Sequence, residues 1–134
     1  MNLSNLSIFG LASDRMTWLA ARQKVTSENV ANAATPEFKA RDVSSFETVL
    51  RDSTTGDSGS LRTTHPMHVS GRTGSNGVRE IDDATATATT LDGNTVNLEQ
   101  QAIRAAETSD QYRMAAQLYR KSYDLLTLAV TGNR

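Results

Sequence analysis

The sequence predicts a mainly α-helical protein, in which long N- and C-terminal helices form a coiled-coil-like pair joined by a loop-rich middle with at most short β-strands. Apolar residues recur at helical spacing near both ends of the chain. Glycine, serine and threonine dominate the region between them. Apolar residues make up only 37% of the 134 residues, which supports a narrow buried seam rather than a thick core. The predicted parts are an N-terminal helix (1–35), a corner (36–51), a flexible, loop-rich middle (52–97) and a C-terminal helix (98–134).

The N-terminal helix is predicted to begin at Leu6 or Leu11 and to end at Ala34. Two rows at helical and heptad spacing define its buried side, and they comprise Ala12, Met16, Leu19, Gln23, Thr26, Val30 and Ala33 in the first and Leu11, Trp18 and Val25 in the second. Many of these side chains are small or polar, so the packing is expected to be close but weakly driven. We expect this helix to pair with the C-terminal helix, within one chain or between neighbouring chains.

The C-terminal helix shows the clearest periodicity of the chain. Its seam alternates spacings of four and three, the 3.5-residue repeat of a coiled coil, over Leu98, Ala102, Ala105, Ser109, Tyr112, Ala116, Tyr119, Tyr123, Leu126 and Val130. Asn97 and Gln100 match an N-cap with its capping box, and Gly132 matches a C-terminal stop. Such a helix is about 50 Å long at 1.5 Å per residue. That length exceeds a small compact domain unless a partner covers its face.

Tyrosines and leucines mark the second half of this helix. The seam contains Tyr112, Tyr119 and Tyr123, and the apolar face is widened by Leu118, Leu125 and Leu128. The tyrosines are expected to fill the core between the helices. Because a buried tyrosine needs a partner for its hydroxyl, Asn29, Asn32 or Gln23 on the facing helix is expected to supply one.

The middle of the chain has the composition of a linker. Residues 52–60 and 70–77 are rich in glycine, serine and threonine. A short strand is predicted near residues 78–81, and Asp92-Gly93 matches a turn. Asp82-Asp83 is expected to be a solvated turn.

The corner after the first helix is the most informative stretch of the sequence. Asn29 and Asn32 are three apart and lie on one side of a helix, although asparagine is a poor interior helix former. Pro36 ends the helix and pushes Thr35 toward an extended conformation. Phe38 follows as an apolar anchor. The sequence therefore predicts a shaped corner that docks on another element.

This corner also carries a family resemblance. The run Asn29-Val30-Ala31-Asn32, followed by Thr35-Pro36 and then Phe38-Lys39, is similar to the N-terminal signature of bacterial flagellar rod and hook proteins. Two further stretches, Lys39 to Val43 with Phe46 and Asp92 to Leu98, resemble the proximal rod proteins of the FlgB family. Glu37 stands where the signature usually has glycine. We therefore expect the corner to differ there and to avoid the positive-φ turn that glycine allows.

The resemblance implies a structural, non-enzymatic subunit of the flagellar basal body, located in the periplasmic part of the rod. Such subunits leave the cell through the flagellar type III export channel without a cleaved signal peptide. The resemblance implies that the terminal helices polymerise with copies of the chain and with other rod subunits, link the membrane-embedded base (the MS-ring junction) to the distal rod, and transmit torque. The implied interface residues are Asn29, Val30, Asn32, Thr35, Pro36, Phe38, Tyr112, Tyr119, Tyr123 and Leu126.

Composition argues against several other classes of function. A net charge of −1 gives no electrostatic case for nucleic acid or an anionic membrane, and the sequence contains no cysteine. No stretch approaches the roughly 18 apolar residues of a membrane span, and no catalytic or cofactor motif is present. Two alternatives stay open. One is a self-folding helical-hairpin adaptor or secretion chaperone, and the other is a small metal enzyme using His65 and His68, although Pro66 separates them and no further ligand completes a site.

Overall fold

A computed structural model of the chain describes residues 7–55, 77–86 and 89–132, with the backbone alone for Ser7 and for residues 52–55. Its elements in chain order are α1 (Ser7–Ala31), β1 (Arg41–Val43), α2 (Phe46–Thr55), β2 (Glu80–Asp82) and α3 (Leu98–Thr131). Helix α1 packs chiefly against α3. The predicted fold class is confirmed, since two long helices form a pair and the only strands among the described residues between them are short.

Helix α1 ends three residues earlier than the sequence predicts. Its backbone tightens into turns after Ala31, where the Asn32 and Ala33 amides donate to carbonyls three or four residues back. Pro36 follows and prevents the helix from resuming. The buried side of α1 combines both predicted rows, with Ala12, Leu19 and Thr26 from the first and Trp18 and Val25 from the second.

The two strands form a small antiparallel ladder that pairs Arg41 with Asp82 and Val43 with Glu80. The strand predicted near residues 78–81 is thus present, although it begins at Glu80. Neither β1 nor α2 was predicted. Helix α2 begins after Ser45, whose hydroxyl accepts a hydrogen bond from the Thr48 amide. It continues through Thr55, so the first residues of the predicted linker 52–60 are helical, while 56–60 and 70–76 lie outside the described residues.

A small apolar core lies between α1, β1 and α2. Its buried members are Trp18, Leu19, Val25, Val43 and Val49. The Trp18 indole donates to the Ser44 carbonyl at 2.7 Å, which satisfies the one polar atom of that side chain. The Arg15 guanidinium lies 4.6 Å from the centroid of the Trp18 ring and covers the outer side of this core.

Both predicted ends of α3 are confirmed, with one detail wrong. Asn97 is the N-cap, and its side chain accepts from the Gln100 amide at 3.1 Å. The Gln100 side chain does not close the capping box; it donates instead to the Thr85 hydroxyl at 3.0 Å. At the other end, the Gly132 amide donates to Leu128 with φ 62°, a conformation that glycine adopts without strain. The helix is 34 residues long.

The first turns of α3 do not bury the predicted seam. The buried side chains there are Gln101, Arg104 and Thr108, whereas Leu98 is 54% exposed. The seam is therefore displaced by about one residue in this half. The physical reason is that the opposing surface is polar. Hydrogen bonds and ion pairs, rather than apolar contacts, therefore determine how α3 is rotated about its axis.

Candidate functional site

A cluster of polar side chains, which we call the polar junction, joins the C-terminal end of α1 to the N-terminal end of α3. Its members are Arg22, Asn29, Asp42, Asp83, Asn94, Gln101 and Arg104. Buried polar groups are costly unless each finds a partner. The pairs in the junction therefore define how the two helices, the strands and the loop before α3 fit together.

Asn29 is the central residue of the polar junction and is 1% exposed. Its amide nitrogen donates to the Arg41 carbonyl at 2.7 Å and to the Gln101 side-chain oxygen at 3.1 Å. Its amide oxygen accepts from the Arg41 backbone nitrogen at 3.0 Å. One side chain thus ties α1 to the start of β1 and to the first turns of α3. A smaller or purely apolar residue leaves all these groups without partners.

Two arginines and two aspartates form an ion-pair network beside Asn29. Arg104 contacts Asp83 at 2.8 Å and Asp42 at 3.5 Å, and Arg22 holds Asp42 through two hydrogen bonds of 3.0 and 3.1 Å. Such forked, charge-assisted contacts fix geometry as well as charge. The prediction of a solvated Asp82-Asp83 turn is wrong for Asp83, because its side chain is buried under α3 and paired with Arg104.

The pKa of Asp83 reflects this pairing. Burial alone raises the pKa of this carboxyl, but hydrogen bonds from the Arg104 guanidinium and from the Thr85 hydroxyl and amide outweigh it, so the pKa lies below the ordinary value of 3.8. Asp83 is therefore ionised at neutral pH. The negative charge it carries matches the positive charge of Arg104.

Asn94 caps α1 from the opposite part of the chain. Its amide nitrogen donates to the carbonyls of Asn32, Ala33 and Thr35 at 2.9, 3.1 and 2.7 Å. These carbonyls follow the last turn of α1, and those of Asn32 and Thr35 also accept from the Thr35 and Phe38 amides in the turns beyond it. Asn94 is 1% exposed, and its own oxygen accepts from the Val96 amide. The corner after α1 is thus completed by the segment that leads into α3.

The predicted corner residues divide between buried and exposed positions. Asn32 is half-buried and bonds only locally, to the Glu28 carbonyl and the Thr35 hydroxyl. Thr35 and Pro36 are exposed, Val30 is 46% exposed and Phe38 is half-buried. The two asparagines therefore do different work: Asn29 joins elements, and Asn32 shapes the end of its own helix.

The expectation that Glu37 avoids a positive φ is wrong. Glu37 has φ 60°, a left-handed conformation that costs a non-glycine residue about 1–2 kcal/mol. Its amide donates to the Asp92 carbonyl at 2.9 Å, and Gly93 lies against it. A Cβ on Gly93 would lie 3.5 Å from the Glu37 Cα, and Gly93 itself has φ 80°. The neighbouring turn thus holds Glu37 in the conformation that glycine would adopt freely.

The predicted residues of α3 lie far from the polar junction. Tyr119 is half-buried, and its ring meets that of Phe9 edge to face with centroids 5.1 Å apart. Leu126 is half-buried, while Tyr112 and Tyr123 are 43% and 48% exposed. The expected hydrogen bond from a tyrosine to Asn29, Asn32 or Gln23 is wrong, since none forms among the described residues. The amides of Asn29 and Asn32 bond to backbone groups, Gln101 and Thr35 instead.

Sequence reasoning missed Gln101, Arg104, Asp83 and Asn94. A signal was present for the first two, since Gln101, Arg104 and Thr108 are spaced three and four apart and form a second heptad row beside the apolar one. No local pattern indicates that Asp83 and Asn94 join distant elements, because the partners through which they do so are 21 and about 60 residues away along the chain.

Two buried polar atoms of α3 have no partner among the described residues. They are the Gln101 amide nitrogen and the Thr108 hydroxyl oxygen. Thr108 lines a groove of about 460 Å³ between α1 and α3, together with Leu19, Ala20, Gln23, Ser109, Tyr112 and Arg113.

The charges of the polar junction neutralise one another. The role of the junction is therefore to hold the elements in position. The histidine pair considered for a metal, His65 and His68, lies outside the described residues.

Comparison with known proteins identifies the class. The chain is 30% identical to a flagellar basal body rod protein FlgB of Agrobacterium fabrum. The alignment spans 131 residues and covers 96% of both chains. The chain is also 30% identical over 124 residues to a second one from Cereibacter sphaeroides, which covers 92% of this chain and 93% of that protein. A third, from Escherichia coli, is 32% identical over 102 residues and covers 72% of each. No protein-family model matches the chain.

These relatives are rod proteins of the flagellar basal body. The chain belongs to the FlgB family of flagellar basal body rod proteins. It is a structural subunit of the basal body rod. Within the part of the chain that the structure describes, no helix has the length and apolar content to cross a membrane.

Proposed function

We propose that the chain builds the proximal rod by polymerising through its terminal helices, linking the membrane-embedded base to the distal rod and transmitting torque. The partners are copies of the chain and other rod subunits in the periplasm, which the chain reaches by flagellar export without cleavage of a signal peptide. Family membership supports the place in the rod, and the distribution of buried surface supports the mode of assembly.

The observation that carries the proposal is the contrast between the two ends of the helix pair. At the polar junction, several hydrogen bonds hold the C-terminal end of α1 and the N-terminal end of α3. Away from it, α3 continues for about three turns past Tyr119. These turns present Tyr123, Leu128 and Val130, which are 48%, 54% and 75% exposed. Large apolar side chains exposed together mark an interaction surface.

In this proposal, the predicted interface residues have two roles. Asn29, Asn32, Thr35, Pro36 and Phe38 set the corner that connects the helical core of the rod to an outer element, with Val30 exposed on the adjoining turn. Tyr112, Tyr119, Tyr123 and Leu126 form the seam against neighbouring subunits. A rigid corner and an incompletely covered helix suit a subunit that is held in one geometry while it adds to a polymer.

The test is removal of residues 120–134 from the chromosomal copy. We expect no motility and no assembled rod, because the deletion removes the exposed part of α3 but leaves the polar junction intact. A matched control stops after Thr131, which keeps the whole of α3 and should swim normally. Normal swimming and intact basal bodies in the longer deletion contradict polymerisation through the C-terminal helix.

A further inference from the structure

Helix α3 carries a second seam on a face that the other described elements leave exposed. We call it the outer stripe, and it consists of Ile103, Glu107, Met114, Leu118, Lys121, Leu125 and Leu128. The spacings from Met114 to Leu128 are four, three, four and three, the repeat of a coiled coil. At 100° per residue the outer stripe lies about a third of a turn away from the row of Gln101, Thr108 and Tyr119 that faces α1.

Every apolar member of the outer stripe is exposed. The exposed fractions are 56% for Ile103, 70% for Met114, 53% for Leu118, 58% for Leu125 and 54% for Leu128. Single exposed apolar residues are ordinary, but five on one face of one helix are not. A 3.5-residue repeat also specifies the shape of the partner, which is another α-helix.

The charges on α3 specify the partner further. Residues 98–111 contain three acidic side chains and one arginine, Arg104, which is buried in the polar junction. Residues 112–131 contain three basic side chains and one acidic one. The exposed surface of α3 is therefore acidic in its first half and basic in its second. Glu107 and Lys121 bring these two charges into the outer stripe itself.

This polarity makes α3 complementary to a copy of itself, but only when the two helices are displaced. In register, two parallel helices place Lys121 against Lys121 and Glu107 against Glu107, which is repulsive. A displacement of two heptads places Glu107 of one copy against Lys121 of the next, and Met114 against Leu128. Two heptads preserve the packing of the seam, since the repeat is 3.5 residues.

We propose that the outer stripe is a head-to-tail contact between two copies of this chain, with the basic half of one α3 on the acidic half of the next. This rests on the proposed function. An antiparallel pair also brings Glu107 to Lys121, but it places Met114 on itself and closes as a dimer. The displaced parallel contact leaves a free half-stripe at each end, so further copies can add. The contact covers only part of one helix, which predicts weak pairing in dilute solution.

Reversal of the two charges tests the contact in swimming cells. Lys121→Glu and Glu107→Lys should each reduce swim-ring diameter at least about twofold, and the double variant should restore it, since opposite charges again face each other. The matched control is Arg120→Glu, which makes the same charge change at an exposed position outside the outer stripe. An Arg120→Glu defect as large as that of Lys121→Glu, or a double variant that swims no better than the single ones, overturns the proposal.

Cysteine cross-linking tests the direction of the contact. The sequence has no cysteine, so a disulfide reports only introduced pairs. In basal bodies from cells that express both a Met114→Cys and a Leu128→Cys chain, mild oxidation should join one to the other. Cross-linking of Met114→Cys chains to themselves indicates the antiparallel dimer, and no cross-link of any kind also overturns the proposal. If deletion of the whole coding sequence abolishes motility while all these variants swim normally, this inference alone is overturned. If cells still swim after that deletion, the proposed function is overturned.

Discussion

At the scale of single residues, the amide groups carry the specificity of this fold. Asn29 and Asn94 together make bonds to six backbone groups and one side chain while being almost fully buried. An amide offers both donors and acceptors without charge, so it can replace a backbone partner where a helix ends and a strand begins. A single glycine could end the helix but could not form these hydrogen bonds. This explains why the corner uses asparagine.

Substitution of the two asparagines of the corner should have unequal effects. Asn29→Ala leaves the Arg41 backbone groups and the Gln101 oxygen without partners, and we expect it to lower the free energy of unfolding by about 3 kcal/mol. Asn32→Ala, the matched control, removes only local bonds at a half-buried site and should cost about 1 kcal/mol or less. Urea unfolding followed by circular dichroism measures both. Equal losses contradict the different roles assigned to the two residues.

How far the sequence could predict the structure also depends on the residue. The rows at helical spacing located α1 and α3, and the cap residues Asn97 and Gly132 located both ends of α3, because these signals are local. The left-handed conformation of Glu37 was missed because a tertiary contact imposes it, through the Asp92 carbonyl and the turn at Gly93. Local preference is overruled wherever a distant segment supplies the stronger constraint.

At the scale of secondary-structure elements, β2 and α3 are coupled through one ion pair. Asp83 follows β2 directly, and its contact with Arg104 holds the ladder against the first turns of α3. The sequence could not predict this pair, because an aspartate in a polar loop and an arginine on a helix are individually ordinary surface residues. Only the fold brings them together, and their burial makes each dependent on the other.

The coupling of β2 to α3 should depend on pH. The pKa of Asp83 lies below its ordinary value of 3.8 in the folded chain, so its contribution to stability is complete above that value and is lost as the pH falls through the folded-state pKa. Asp83→Asn should therefore lower the free energy of unfolding at pH 7 by about 3 kcal/mol, because Arg104 loses its closest charge. Denaturant titrations at pH 7 and near pH 3 should show this difference shrinking in acid.

The matched control for this experiment is Asp82→Asn, since Asp82 is the exposed neighbour of Asp83. It should change stability little at either pH. A difference between the Asp83 variant and the parent chain that stays constant or grows in acid would contradict the assignment of a lowered pKa.

At the scale of the whole molecule, one half of the helix pair is held by many internal contacts, and the other half, which we call the open half, exposes much of its apolar surface. The polar junction, the strands and the core around Trp18 fix the angle between α1 and α3. The open half holds the half-exposed tyrosines and the outer stripe from Met114 to Leu128, while Ile103 and Glu107 of the stripe lie beside the polar junction on another face of α3. The residues that stabilise the fold and the residues proposed for assembly therefore lie on different surfaces of the same two helices. This separation suits a rod subunit, since the monomer keeps its corner geometry before any partner is present.

That separation predicts that stability and assembly can be changed independently. The double variant Tyr112→Ala, Tyr123→Ala removes two rings that are nearly half exposed in the single chain, so the thermal midpoint of the purified protein should stay within about 3 °C of the parent. The same variant should fail to assemble rods, because in the proposed assembly the exposed part of each ring packs against a neighbouring subunit. Asn29→Ala is the counterpart, since it should lower the thermal midpoint and lose assembly together. Melting curves of the purified chains and electron microscopy of isolated basal bodies provide the two measurements. A tyrosine variant that melts far below the parent would show that these rings stabilise the monomer, and one that assembles normally would remove them from the subunit interface.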